Sequence, residues 1–217
     1  MKLSRRILSA FLAVLMVCSV VTAVSAAGVT FTDVSGHWAW NNGSIPYLVD
    51  KGVLNGYKQS NGTYKFMPDG QVTRAEFIKM LDETFGLTET TSINFSDIKS
   101  TDWFYPYFAK AEAQGYLLNY GTYANPNGKL TREEAITLLV RYLDLPANEQ
   151  GSSSYFTDYS SISENYRDYI LRAVSAGLTE GSVEGGVRVF KPKSTLTRAE
   201  ALTLLYRAAG CIFNLNA

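Results

Sequence analysis

Along this chain, apolar residues return in two alternating helical rhythms, one short and one long. The short one is Ile45, Leu48 and Val49 before Gly52, then Phe108 and Ala111 before Gly115, then Ile170, Ala173 and Val174 before Gly177. Such spacing followed by glycine predicts a short amphipathic helix with a left-handed stop. The long rhythm is Phe77, Ile78, Met80, Leu81 and Phe85, matched by Ala135, Ile136, Leu138, Leu139, Tyr142 and Leu143, and by Ala201, Leu202, Leu204, Leu205 and Ala208. Each builds one apolar stripe on a longer helix. Between short and long helix lies a polar loop containing proline: "FMPDGQ" at 66–71, "ANPNGK" at 124–129 and "FKPKST" at 190–195. Proline there separates the two helices. Alternation of strand type is confined to "GGVRVF" at 185–190, a candidate hairpin edge, so the predicted class is all-α.

The same landmarks recur in one order three times. Phe31, Phe95 and Phe156 open "FTDV", "FSDI" and "FTDY", about 60 residues apart, and the long helices begin at "VTRAE", "LTREE" and "LTRAE". This divides the chain into repeats at 28–90, 91–150 and 151–217, joined by polar linkers at 88–93 and 146–154. A single helix pair cannot bury its own stripe, so the three pairs are expected to share a core.

Thr73 with Glu76, Thr131 with Glu134 and Thr197 with Glu200 each form a capping box. That leaves Arg74, Arg132 and Arg198 without a local reason, because a cation at the first helical position faces the positive end of the helix dipole. Two readings stay open. The guanidinium and free helix-start amides form an anion site, or each arginine pairs with a carboxylate of a neighbouring repeat. The aromatic positions are equally two-sided. Trp40 and Trp103 each stand twelve residues before a stop glycine and Tyr166 eleven before, where they serve either as core or as platforms for sugar rings.

Lys2, Arg5 and Arg6 precede an apolar run from Ile7 to Val24 that ends in "VSAAG", the pattern of a signal peptide over residues 1–27. Without the three basic residues of the leader, 17 Lys and Arg stand against 20 Asp and Glu, a net of −3. Such a balance does not support wholesale binding to nucleic acid or anionic membrane. Cys211 alone follows the leader, so no internal disulfide is expected.

The succession "FTDV…HWAW…IPYLVDKGVLNGY…F.PDGQVTRAEF" resembles the S-layer homology (SLH) domain, and residues 31–210 resemble a set of three. The resemblance implies a pseudo-threefold arrangement of the repeats around a central helical bundle. It also implies grooves between repeats that bind an acidic, pyruvylated cell-wall polysaccharide noncovalently and hold a secreted protein at the wall or surface layer. By matching position, Arg74, Arg132 and Arg198 would contact the acid, Trp40, Trp103 and Tyr166 would line the grooves, and Gly56 and Gly181 would let the ligand approach. Departures from the pattern are Glu133 beside Arg132, Asn119 in the place of Gly56, Lys193 in the third loop, and "HW", which competes for the aromatic role through Trp38.

An enzyme is the first rival. A glycosidase needs two carboxylates across one bond, and Asp33, Glu76 and Asp97 are present, but Glu76 is already a cap. One histidine, His37, does not make a multi-histidine metal site, and Cys211 has no evident base, so neither catalysis nor a cofactor is expected. The second rival is a surface-layer or protein-interaction component whose grooves take another protein. It draws on the expectation that no cargo domain follows Gly210.

Overall fold

The computed structural model describes residues 31–54, 56–117, 121–147 and 152–215, with side chains to Gly210. The expected leader, Asn119 and the side chain of Cys211 lie outside the described residues. The chain is largely helical. Helices α1 (Trp38–Asn41) and α2 (Ser44–Asp50) belong to the first repeat and lead to α3 (Arg74–Phe85). The second repeat holds α4 (Tyr105–Ala113) and α5 (Arg132–Leu143); the third holds α6 (Arg167–Ser175) and α7 (Arg198–Leu215). Among the described residues no helix is long and apolar enough to cross a membrane.

Among the described residues two short antiparallel hairpins accompany the helices. One pairs β3 (Ser182–Glu184) with β4 (Val187–Val189) around Gly185 and Gly186, where the alternation predicts it. The other pairs β1 (Tyr57–Lys58) with β2 (Tyr64–Lys65) and is absent from the sequence reading. Its cue is Asn61-Gly62, a turn-forming dipeptide between two strands too short to show alternation.

The stripes predicted for α3, α5 and α7 are buried, and they share one core cluster with Ile45, Leu48, Phe108 and Ile170 of the short helices. The pairing of helices differs from the helix–loop–helix unit that the sequence suggests. Each short helix packs on the long helix of the preceding repeat: α4 on α3, and α6 on α5. The short helix of the first repeat, α2, packs on the long helix of the third, α7. There Ser44 Oγ lies 3.1 Å from Thr203 Oγ1, and the Tyr47 and Tyr206 rings meet edge to face. The first and third repeats are thereby closed onto each other. The residues just before the caps close in the same sense. Val72 N–H donates to the Leu196 carbonyl at 3.0 Å, Leu196 to Leu130 at 3.0 Å, and Leu130 to Val72 at 3.1 Å.

The opening motifs position the loops. The carboxylate of Asp33 accepts from Phe66 N at 2.8 Å and Met67 N at 2.9 Å. Asp97 does the same for Ala124 and Asn125, and Asp158 for Phe190 and Lys191. In each pair the second residue precedes proline and has positive φ: 59° at Met67, 48° at Asn125 and 57° at Lys191. Residues other than glycine rarely hold that backbone, so two charge-assisted bonds are what keep it there.

Candidate functional site

At the start of α3, α5 and α7 every orphan amide has a partner. The threonine hydroxyl accepts from the third helical residue, and the capping glutamate accepts from the threonine N–H. The first two helical amides reach across to the loop of another repeat. Arg74 N donates to the Gly128 carbonyl at 2.9 Å, Arg132 N to Ser194 at 2.9 Å and Arg198 N to Gly70 at 2.7 Å. Ala75, Glu133 and Ala199 donate likewise to Pro126, Pro192 and Pro68. The anion site built on free helix-start amides is therefore corrected: neighbouring carbonyls consume those donors.

The arginine side chains divide two ways. Arg74 is 4% exposed; it donates to Glu134 Oε1 at 2.6 Å and to the Asn125 carbonyl at 2.6 Å. Arg132 pairs with Glu200 Oε1 at 2.5 Å. In both cases one glutamate serves two repeats, capping its own helix with Oε2 and receiving the arginine of the preceding repeat on Oε1. Closing the series would need Arg198 on Glu76, and that pair is absent among the described residues. Instead the Arg198 guanidinium lies over the Tyr57 and Phe66 rings, 5.2 Å from each centroid, with 3.4 Å to Tyr57 Oη. Its Nε is buried without a hydrogen-bond partner among the described residues.

Among the described residues two grooves run between the repeats, each drawing on all three. The first, of about 350 Å³, brings Arg198 of repeat three against Gly56 and Glu76 of repeat one and Trp103 of repeat two. The second, of about 320 Å³, brings Arg132 of repeat two against Gly181 and Glu200 of repeat three and Trp38 of repeat one. Each thus presents a motif arginine, a capping glutamate, a glycine and an indole.

The sequence profile of the S-layer homology domain matches residues 30–78, 94–136 and 155–202. The chain belongs to the S-layer homology domain family. It is 32% identical over 181 residues to an amylopullulanase of Thermoanaerobacterium thermosulfurigenes, covering 82% of this chain and 9% of that protein. It is 30% identical over 201 residues to S-layer protein sap of Bacillus anthracis, covering 91% of this chain and 23% of the relative. An S-layer protein of Bacillus licheniformis is 32% identical over 204 residues, at 91% and 22%. The chain spans less than a quarter of the length of each of these relatives.

In these S-layer homology repeats the indoles of the grooves are Trp38 and Trp103, 48% and 52% exposed. Trp40 packs against the core instead, because its neighbour Trp38 occupies the outward face of α1. Counting back from the stop glycine selects Trp40; the extra turn of α1 makes that count misleading. Tyr166 is half-buried beside Arg74, Glu134 and Glu133, at the third junction. Its hydroxyl pKa is raised, by burial first and then by those two carboxylates. The counterpart of Gly56 there is Asn119, outside the described residues.

Gly56 and Gly181 border their grooves at φ of 63° and 70°, but their missing side chain serves the protein itself. A Cβ on Gly56 would run into the Phe31 ring and the Lys65 carbonyl, and one on Gly181 into the Phe156 ring and the Val189 carbonyl. Neither departure in the motif acts on an open arginine. Glu133 is turned to Lys193 Nζ, 2.5 Å away, and to Ser163 N and Oγ at 3.0 and 2.9 Å.

Sequence reasoning missed Lys79, Glu83 and Tyr57 in the first groove and Arg207 in the second. A signal was present: Glu76, Lys79 and Glu83, like Glu200, Thr203 and Arg207, fall on one helical face. Burial pushes the Glu83 carboxyl pKa up, with Lys79 opposing. For Glu200, burial also pushes upward, but the Thr197 amide and the Arg132 guanidinium outweigh it and leave its pKa lowered.

Proposed function

We propose that this chain is a noncovalent cell-wall anchoring module that binds an acidic, pyruvylated wall polysaccharide in the grooves between its repeats, without turning it over. Family membership makes it a secreted, surface-associated protein. The closure of α2 on α7 and the ring of loop bonds support a pseudo-threefold arrangement of the repeats around a central bundle of α3, α5 and α7.

The observation that carries the reading is Arg198. It is the motif arginine that no carboxylate neutralises among the described residues, and it is stacked in place beside Trp103 in a groove of sugar size. Stacking holds the planar fork with little rotamer freedom left to lose when a carboxylate binds. An aromatic face nearby suits the apolar side of a sugar ring, while the guanidinium takes the acid. Arg74 and Arg132 act in this reading as staples between repeats, and Arg207 provides a cation of the second groove that has no ion-pair partner among the described residues.

A sedimentation assay on purified wall tests the proposal. Arg198→Ala is expected to weaken binding about tenfold or more, the size of one charge-assisted contact, with the melting temperature lowered by no more than about 4 °C. Wall stripped of its acidic substituents should no longer retain the wild type. Equal retention on intact and stripped wall would overturn the proposal.

A further inference from the structure

The two grooves share one frame but not one charge pattern. In both, the wall is a helical stripe at matching places: Glu76, Lys79, Met80 and Glu83 in the first, Glu200, Thr203, Leu204 and Arg207 in the second. The stripe ends nine residues after the motif arginine of its own helix, and there the sign reverses, from Glu83 to Arg207. At the corresponding place in repeat two, Arg141 is committed to the carbonyls of Tyr116 and Gly115 at 3.1 and 3.0 Å.

The reversal decides what each groove leaves unsatisfied. In the second, Arg132 is taken by Glu200 and Lys191 by Glu184, and Arg207 remains exposed with no ion-pair partner among the described residues. That groove offers a net positive charge. In the first, Arg198 and Lys79 stand against Glu76 and Glu83, so the net charge is zero. Lys79 and Glu83 form a long 3.6 Å pair of a kind worth little, and Glu83 Oε1 accepts a further long contact from Tyr107 Oη at 3.5 Å. Glu76 Oε2 caps its helix, and Oε1 has no ion-pair partner among the described residues. A purely anionic ligand would be drawn to Arg198 and repelled by two carboxylates on the same wall. A unit carrying both an acid and a protonated amine would satisfy both signs.

We propose that this position sets which glycan unit each groove accepts: Glu83 makes the first groove select a unit bearing an amino group beside its acid, and Arg207 makes the second select by acid alone. The inference rests on the wall-polysaccharide reading above. Opposite charges placed at one matched position discriminate ligands by attraction to one class and repulsion of the other.

Both side chains are exposed, so charge reversal there leaves the fold intact. Binding is measured by sedimentation on three wall preparations: native, N-acetylated with acetic anhydride to neutralise free amines, and stripped of acidic substituents. Wild type should bind N-acetylated wall several-fold to about tenfold more weakly than native wall, the loss of one charge-assisted contact. Glu83→Arg should bind both equally, and Arg207→Glu should lose a further about tenfold on the N-acetylated wall. If N-acetylation leaves wild-type binding unchanged, or weakens wild type and Glu83→Arg alike, the assignment is overturned while the wall-binding reading stands. If stripped wall still retains the wild type, the wall-binding reading itself is overturned.

Discussion

Arg74, Arg132 and Arg198 occupy the same place in the same motif, yet tertiary contacts give them different tasks. Removing one partner of a buried pair leaves an uncompensated charge, which costs about 3 kcal/mol or more. Arg74→Ala is therefore expected to lose stability on that scale in urea unfolding, since Arg74 is 4% and Glu134 16% exposed. Arg198→Ala should cost no more than about 1 kcal/mol, its main contacts being two ring faces. Equal stability losses at the two positions would contradict the division into staple and ligand contact. The Arg132–Glu200 pair leads to a pH prediction. Because the folded pKa of Glu200 is lowered, the unfolded chain binds more protons in the acid range, so stability rises with pH there. The contribution is complete above the ordinary glutamate value near 4.5 and disappears as pH falls through the lowered one. Melting followed from pH 6 down to about pH 3 should show a shallower acid decline in Glu200→Gln than in wild type. The sequence showed that these arginines break a local rule; which carboxylate each one meets depends on residues some 60 positions away.

At the scale of elements, the loops between helices are held more firmly than their polar composition suggests. Asp33, Asp97 and Asp158 each satisfy two amides around a left-handed residue. Asp97→Asn, which keeps the size but leaves one amide without an acceptor, should lower stability by about 1–3 kcal/mol, measurable as a shift of the urea midpoint with unchanged slope. Gly56→Ala should cost more than a surface change does, through both its positive φ and the collision with Phe31 and Lys65. A melting temperature equal to wild type would refute that packing account. The helices themselves were legible, because buried stripes and capping boxes are local patterns in the chain. The β1–β2 hairpin was not, since two-residue strands carry no periodicity and owe their pairing to the turn between them. The aromatic of the first repeat stayed open between two candidates for a related reason: Trp38 and Trp40 are chemically alike, and the turn of α1 decides which one faces out.

For the whole molecule, the decisive feature is closure of the first repeat on the third. Every short helix depends on a long helix from another repeat, so a chain ending at residue 147 would leave α2 without α7 and α5 without α6. Such a truncated chain is expected to lose cooperative unfolding altogether, unlike an open solenoid, which would merely become shorter. A sharp near-UV transition in residues 28–147 would contradict that dependence. The sequence by itself determined the threefold repeat, the helices and their caps, because all of these follow from interactions within about a turn or a period of the chain. Only the tertiary structure decided which helix packs on which, that the helix-start amides belong to neighbouring loops, and that Arg198 and Arg207 have no carboxylate partner among the described residues where Arg74 and Arg132 are paired. Those outcomes depend on distances between repeats, and three nearly identical motifs cannot say which of their charges will meet until the ring is closed.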